Sequence, residues 1–194
     1  MMKIGILALQ GAFIEHIQMF GKICVEAVEI RLPGQLERVE GLVIPGGEST
    51  TMMKLMHDYG LVTPIKKMAA RQVPIWGTCA GMICMARMAI NPDSSAMQTL
   101  ALMDITVRRN AFGRQVDSFE AELPVTGLQG APFHGVFIRA PYIEKAGGGV
   151  QVLAALPDGE IVAARQGNLL ATSFHPELTG DPRIHSYFAG IAKG

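Results

Sequence analysis

Cysteine is scarce in this chain: three residues, Cys24, Cys79 and Cys84, an odd number with no CxxC pair. That excludes a disulfide framework and suits a reducing compartment, so the cytoplasm is the expected setting. An excess of one charge is also missing. Lys+Arg and Asp+Glu each number 17, so no net field draws the chain to nucleic acid, and no basic run suits an anionic membrane. Long hydrophobic runs are absent as well. Ile4–Leu9 and Leu42–Pro45 have the length of strands and cannot cross a bilayer. The opening Met1-Met2-Lys3-Ile4 lacks the apolar stretch and cleavage site of a signal peptide. None of the five histidines clusters with the cysteines, so no zinc site is expected.

What is present suits one compact domain over residues 1–194, with 49% hydrophobic and 18% charged residues supporting a full core. Lys3–Leu9 reads as a buried strand, and Phe13, Ile17 and Phe20 follow at helical spacing. Val25–Ile30 and Leu42–Ile44 are further strands. A helix capped by Ser49 or Thr50 runs through Met56, and another covers Pro64–Arg71. Strands alternating with helices predict an α/β fold with a mainly parallel sheet covered on both faces. The second half reads as strands at Met103–Val107, Ser118–Glu122, Phe133–Ile138, Val152–Ala155, Ile161–Arg165 and Leu169–Phe174, joined by turns. These predict an antiparallel extension. Asn91–Gln98 reads as a mobile polar loop, and Pro182–Ala192 as a closing helix.

The most informative junction is Val73-Pro74-Ile75-Trp76 running into Gly77-Thr78-Cys79-Ala80-Gly81, with a helical pattern in Met82, Ile83, Met85 and Ala86. This is the thiol form of a nucleophile elbow, a sharp strand-to-helix turn that flanking glycines permit. It presents Cys79 at a helix N-terminus, where partial positive charge favours an anionic sulfur. A cysteine nucleophile needs a base, a group that orients the base, and donors for an oxyanion. His175, in Ser173-Phe174-His175-Pro176-Glu177, sits just past an apolar strand, and Glu177 can reach its far nitrogen. Pro45-Gly46-Gly47-Glu48-Ser49-Thr50 follows another strand. Its glycines either turn backbone N–H groups toward an oxyanion or carboxylate, or simply make a turn before a helix. Cys24 and Cys84, inside apolar stretches, read as small buried hydrophobes. His57, His134 and His185 read as structural.

Several blocks together resemble the class I, triad-type glutamine amidotransferases. They are Leu7–Ala12, Pro45–Thr51, Gly77–Gly81, Arg109–Gln115, Phe137–Pro141 and Phe174–Leu178. Within that class they are similar to one family, the glutaminase subunits of pyridoxal 5′-phosphate synthase (PdxT or SNO type), over nearly the whole chain. The resemblance implies a flavodoxin-like fold with a mostly parallel central sheet, flanking helices and a small antiparallel extension. It implies hydrolysis of L-glutamine to L-glutamate and ammonia by Cys79, His175 and Glu177 through a glutamyl thioester. Gly46, Gly47 and Ala80 are the implied oxyanion-hole residues. Gly47, Glu48, Ser49, Arg109, Ile138 and Arg139 are the implied glutamine contacts, although Arg109 and Arg139 also read as surface ion-pair partners. The implied partner is a separate pyridoxal 5′-phosphate synthase subunit of PdxS/SNZ type in a large hetero-oligomer. No cofactor is implied for this chain, since pyridoxal 5′-phosphate is the product of the complex. Gln10, Glu15 and His16 are implied to lie toward the partner, with Gln10 near the oxyanion loop, although they also read as a solvated helix face. The same triad would also serve a glutaminase for another synthase or a stand-alone γ-glutamyl hydrolase, whereas a non-enzymatic or redox-sensing relative would keep the elbow cysteine without a working triad.

Overall fold

The computed structural model describes residues 2–109 and 118–194. The first half alternates as the sequence predicts: β1 (Lys3–Leu7), α1 (Phe13–Lys22), β2 (Glu26–Ile30), β3 (Gly41–Ile44), α2 (Ser49–Asp58), α3 (Val62–Ala70), β4 (Ile75–Thr78) and α4 (Ala80–Met85). The strands that follow are β5 (Ala86–Ile90), β6 (Ala96–Met97), β7 (Met103–Arg108), β8 (Ser118–Leu123), β9 (Phe133–Ile138), β10 (Tyr142–Ala146), β11 (Gln151–Ala155), β12 (Ile161–Gln166) and β13 (Leu169–Thr172). Helix α5 (Arg183–Lys193) closes the described chain.

β2-β1-β3-β4-β13 form the parallel heart of one large sheet. With β13 as fifth strand, this is the flavodoxin-like order, whose switch point lies between β1 and β3. The sheet continues through β12, β10, β7, β5 and β6, mostly antiparallel, while β5 and β7 run parallel. β8 and β9 form a separate antiparallel pair. β3 and β4 are buried at every position, which is why they read as continuous apolar runs rather than alternations. One face of the sheet packs Phe20 of α1 and Phe188 of α5 against Trp76. The other packs Met52 and Met56 of α2 and Ile65 of α3. Among the described residues no helix is long and apolar enough to cross a membrane.

Three elements differ from the expectation. The helix after the elbow stops at Met85, and Ala86 already belongs to β5, because Ala86 and Ala89 are buried beside β7. Short Met- and Ala-rich stretches carry no clear period, so the switch leaves little trace in sequence. β10 was not expected; of its side chains only Ile143 is buried, too little alternation to mark a strand. Ala96–Met97, within the expected polar loop, pairs with β5. Cys24 is exposed at φ +56°, in the turn between α1 and β2 rather than in the core.

Candidate active site

In a parallel sheet the connections after each strand gather along one edge, outside the C-terminal strand ends. Here that edge carries Gln10 after β1, Gly46–Ser49 after β3, Cys79 after β4 and His175 after β13. Between them lies a cleft of about 420 Å³, whose walls include Gln10, Gly47, Glu48, Ser49, Cys79, Ala80, Arg109, Ile138, Arg139 and His175. A second hollow of about 480 Å³ opens at the opposite ends of β4 and β13, with Lys66 as the only ionisable side chain in its wall. Among the described residues its wall has no thiol, hydroxyl or imidazole, so the first cleft is the chemical candidate.

Cys79 sits at φ +48° and ψ −105°, a strained conformation for a residue with a Cβ, of the kind found at nucleophile elbows. The glycines on either side are needed for space. A Cβ at Gly77 would come within 2.5 Å of the Gly81 carbonyl, and one at Gly81 would strike the Ile44 carbonyl oxygen of β3. The Cys79 N–H donates to the Thr172 carbonyl at 2.8 Å. This bond continues the register in which Thr78 of β4 faces Thr172 of β13, so the elbow and the segment after β13 end side by side. The sulfur lies 3.9 Å from the Ile138 carbonyl oxygen and is nearly buried. Cys84, one turn along α4, has its thiol pushed up to about 12, chiefly by burial, and is no competing nucleophile.

His175 is fixed by its N–H, which donates to the Val136 carbonyl of β9 at 2.8 Å. Its Nδ1 lies 2.7 Å from Oε1 of Glu177, and both side chains are buried. Burial disfavours the imidazolium, but interactions with Cys79 and Glu177 outweigh it and lift the His175 pKa to about 10. Burial likewise opposes ionisation of Glu177, yet His16 and His175 hold its pKa below the usual carboxylate value. With Nδ1–H directed at Glu177, Nε2 is the nitrogen left to exchange protons. Gly46 lies against the imidazole, and a side chain there would run into the ring.

The Gly46–Gly47 loop is held from β1's connection. The Ala12 N–H donates to the Gly46 carbonyl at 3.4 Å, and the Glu48 N–H donates to Gln10 Oε1 at 3.1 Å. Because the peptide is planar and trans, the Gly47 N–H points away from Ala12. Glu48 then caps α2, accepting from Thr50 and Thr51 N–H at 3.0 and 2.7 Å. Burial would raise its pKa, but these bonds lower it to about 2. The same carboxylate pairs with Arg109 Nη2 at 3.2 Å, while Arg109 Nη1 donates to Asn91 Oδ1 at 2.6 Å. Arg109 Nε is buried without a partner among the described residues. Ser49 is buried, and its hydroxyl faces Met97. Ile138 and Arg139 are exposed at the rim, Arg139 at φ +42°, and Arg139 makes no ion pair among the described residues. The rest of the Arg109–Gln115 block lies outside the described residues.

Two residues near the site escaped the sequence reading. Asn91 orients Arg109 from the end of β5 but read only as part of a polar loop. His16 was expected toward a partner, yet it is fully buried. Its position between Phe13 and Phe20 on the apolar face of α1 is the signal that places it inside. Among the described residues no group of three or more His, Cys, Asp or Glu is arranged to hold a metal ion.

The fold is that of the class I glutamine amidotransferases. A solved structure described as a glutamine amidotransferase superposes with a TM-score of 0.91 at 46% identity, covering 98% of this chain and 99% of that one. The profile of the SNO glutamine amidotransferase family matches residues 6–192, and the chain belongs to that family. A curated relative from Dehalococcoides mccartyi, named pyridoxal 5′-phosphate synthase subunit PdxT, is 60% identical over 192 residues, 99% of this chain and 98% of its own length. One of the same name from Herpetosiphon aurantiacus is 59% identical over 190 residues, 98% of this chain and 100% of its own.

Proposed function

We propose that this chain is the glutaminase subunit of a cytoplasmic pyridoxal 5′-phosphate synthase, acting as one domain that hydrolyses L-glutamine and passes ammonia to a separate synthase subunit in a large hetero-oligomer. The observation that carries the chemistry is the strained Cys79 beside a His175–Glu177 pair at 2.7 Å, in one cleft with Arg109. Relatives of near-identical length bearing the synthase-subunit name support the partner.

In this mechanism the Cys79 thiolate attacks the γ-carboxamide carbon, forming a C–S bond and moving the carbonyl electrons onto oxygen. N–H groups at Gly46 or Gly47 and at Ala80 hold that oxyanion; loss of one such donor costs ~10²–10³ in rate. His175, protonated at neutral pH because its pKa is raised to about 10, gives the Nε2 proton to the departing nitrogen. Ammonia leaves as the C–N bond breaks, and a γ-glutamyl thioester remains. Water then attacks the thioester as His175 takes its proton. Collapse expels the thiolate, releases glutamate and restores the charged pair, while Glu177 keeps the ring oriented. The free glutamine zwitterion requires a cation and acceptors. Arg109 Nε suits the α-carboxylate, and Glu48, with Ser49, Gly47 and the Ile138–Arg139 rim, completes the pocket. These steps use only groups of this chain, and pyridoxal 5′-phosphate is the product of the complex.

Acid quenching during turnover with the synthase subunit present should yield a Cys79 peptide heavier by one glutamyl group. Undiminished glutamate release by Cys79→Ala in the same complex would rule out the thioester.

A further inference from the structure

Glu177 directs only one carboxylate oxygen at His175. Its Oε1 lies 2.7 Å from His175 Nδ1, whereas Oε2 is buried without a hydrogen-bond partner among the described residues. Facing Oε2 is the imidazole of His16, whose Nε2 is 3.4 Å away and 3.4 Å from Thr78 Oγ1 at the end of β4. On its far side, His16 Nδ1 lies 3.0 Å from His185 Nε2 in α5. His16 and His185 are each 0% exposed. Trp76 packs nearly perpendicular to both rings, at centroid distances of 5.3 and 5.0 Å, which restrains their planes.

The tautomers follow from these contacts. A bare lone pair on His16 Nε2 would repel the Glu177 carboxylate, so Nε2 carries the hydrogen. Nδ1 must then accept, and the His185 Nε2–H is the donor beside it. His185 Nδ1, without a partner among the described residues, is left as a bare acceptor. Burial holds both imidazoles neutral, with the His16 pKa lowered and that of His185 driven to about 2. A core histidine satisfied for its own sake would not need this chain of side chains from α1, β4 and α5 converging on one carboxylate.

We propose that His16 is a positioning residue for the glutaminase reaction: its Nε2–H, set between Thr78 Oγ1 and Glu177 Oε2, attracts the second oxygen of Glu177 electrostatically, so that the first stays in the plane of the His175 ring. His185 fixes the tautomer that makes this possible. The proposal rests on the glutaminase reading of Cys79, His175 and Glu177. It goes beyond it by extending the relay from the cleft through the sheet to the helices on one face.

The test measures glutamate release by the chain together with its synthase subunit. His16→Leu should lower kcat about 10–100-fold, the scale seen when a group orienting a functional ligand is removed, with the glutamine KM unchanged. His16→Gln, whose amide can donate toward Oε2 again, should recover most of that loss. In a Glu177→Gln background, His16→Leu should cost little more, because its route of action is already gone. Equal losses in both backgrounds would overturn the proposal, as would equal damage from Leu and Gln that merely tracks a fall in Tm. A measurement that needs no variant is the tautomer of His16 in histidine-labelled wild type by NMR. Hydrogen on Nε2 is expected, and hydrogen on Nδ1 would overturn the proposal whatever the variants do. A wild-type complex that leaves glutamine intact sinks the glutaminase reading and the proposal together. Wild-type turnover with additive losses sinks the proposal alone.

Discussion

Arg109 directs Nη1 to Asn91 and Nη2 to Glu48, leaving Nε as a buried donor without a partner among the described residues. An arginine held at two points loses little freedom on binding, so its Nε–H is preorganised for an anion. If Nε receives the α-carboxylate of glutamine, Arg109→Ala should raise KM about 10–100-fold through loss of a charge-assisted bond, with kcat changed far less. Steady-state kinetics of the complex at varied glutamine decide this, and an unchanged KM would show that Arg109 does not bind the substrate. The sequence offered Arg109 both as a ligand and as a surface ion-pair partner. In the structure it is an ion-pair partner, but the partner is Glu48 of the same cleft.

Helix α2 begins on Glu48, whose carboxylate accepts from Thr50 and Thr51 N–H and complements the helix dipole. Its folded pKa of about 2 lies below the reference of 4.5. This carboxylate therefore stabilises the fold fully above about pH 4.5, and that contribution is lost as pH falls toward 2. Glu48→Gln should lower Tm at neutral pH by about 1–3 °C, the scale of one exposed charge–dipole contact. The difference from wild type should shrink as pH drops through this window; a difference constant with pH would show that the charge is not what matters. At this scale most of the site-bearing framework was legible. β3 and β4 read correctly because continuous apolar runs bounded by Pro-Gly-Gly and Gly-Thr-Cys leave one interpretation. β5 and β10 did not, since Ala86–Ile90 has no clean period and β10 buries a single side chain. His16 was misplaced because a Glu-His pair suggests a solvated face, although the spacing from Phe13 to Phe20 already turned it inward.

For the molecule as a whole, the parallel order β2-β1-β3-β4-β13 brings residues as distant in sequence as Gln10 and His175 to one edge. No local signal encodes that meeting; it follows from strand order, which Gly81 helps to fix by letting the elbow rest against the Ile44 carbonyl. The elbow and the His-Pro-Glu segment could thus be named from sequence, whereas the distances between them required the fold. Glu177 stands at the centre of the assembled site, with His175 on one oxygen and His16 facing the other. In the proposed function, Cys79 releases ammonia from glutamine for a synthase partner. The most direct measurement is glutamate release from L-glutamine by the wild-type chain and by Cys79→Ala, each with and without a pyridoxal 5′-phosphate synthase subunit. Turnover is expected for wild type, rising sharply when the synthase is added, and none for Cys79→Ala in either condition. Glutamate release by Cys79→Ala in the presence of the synthase would contradict it.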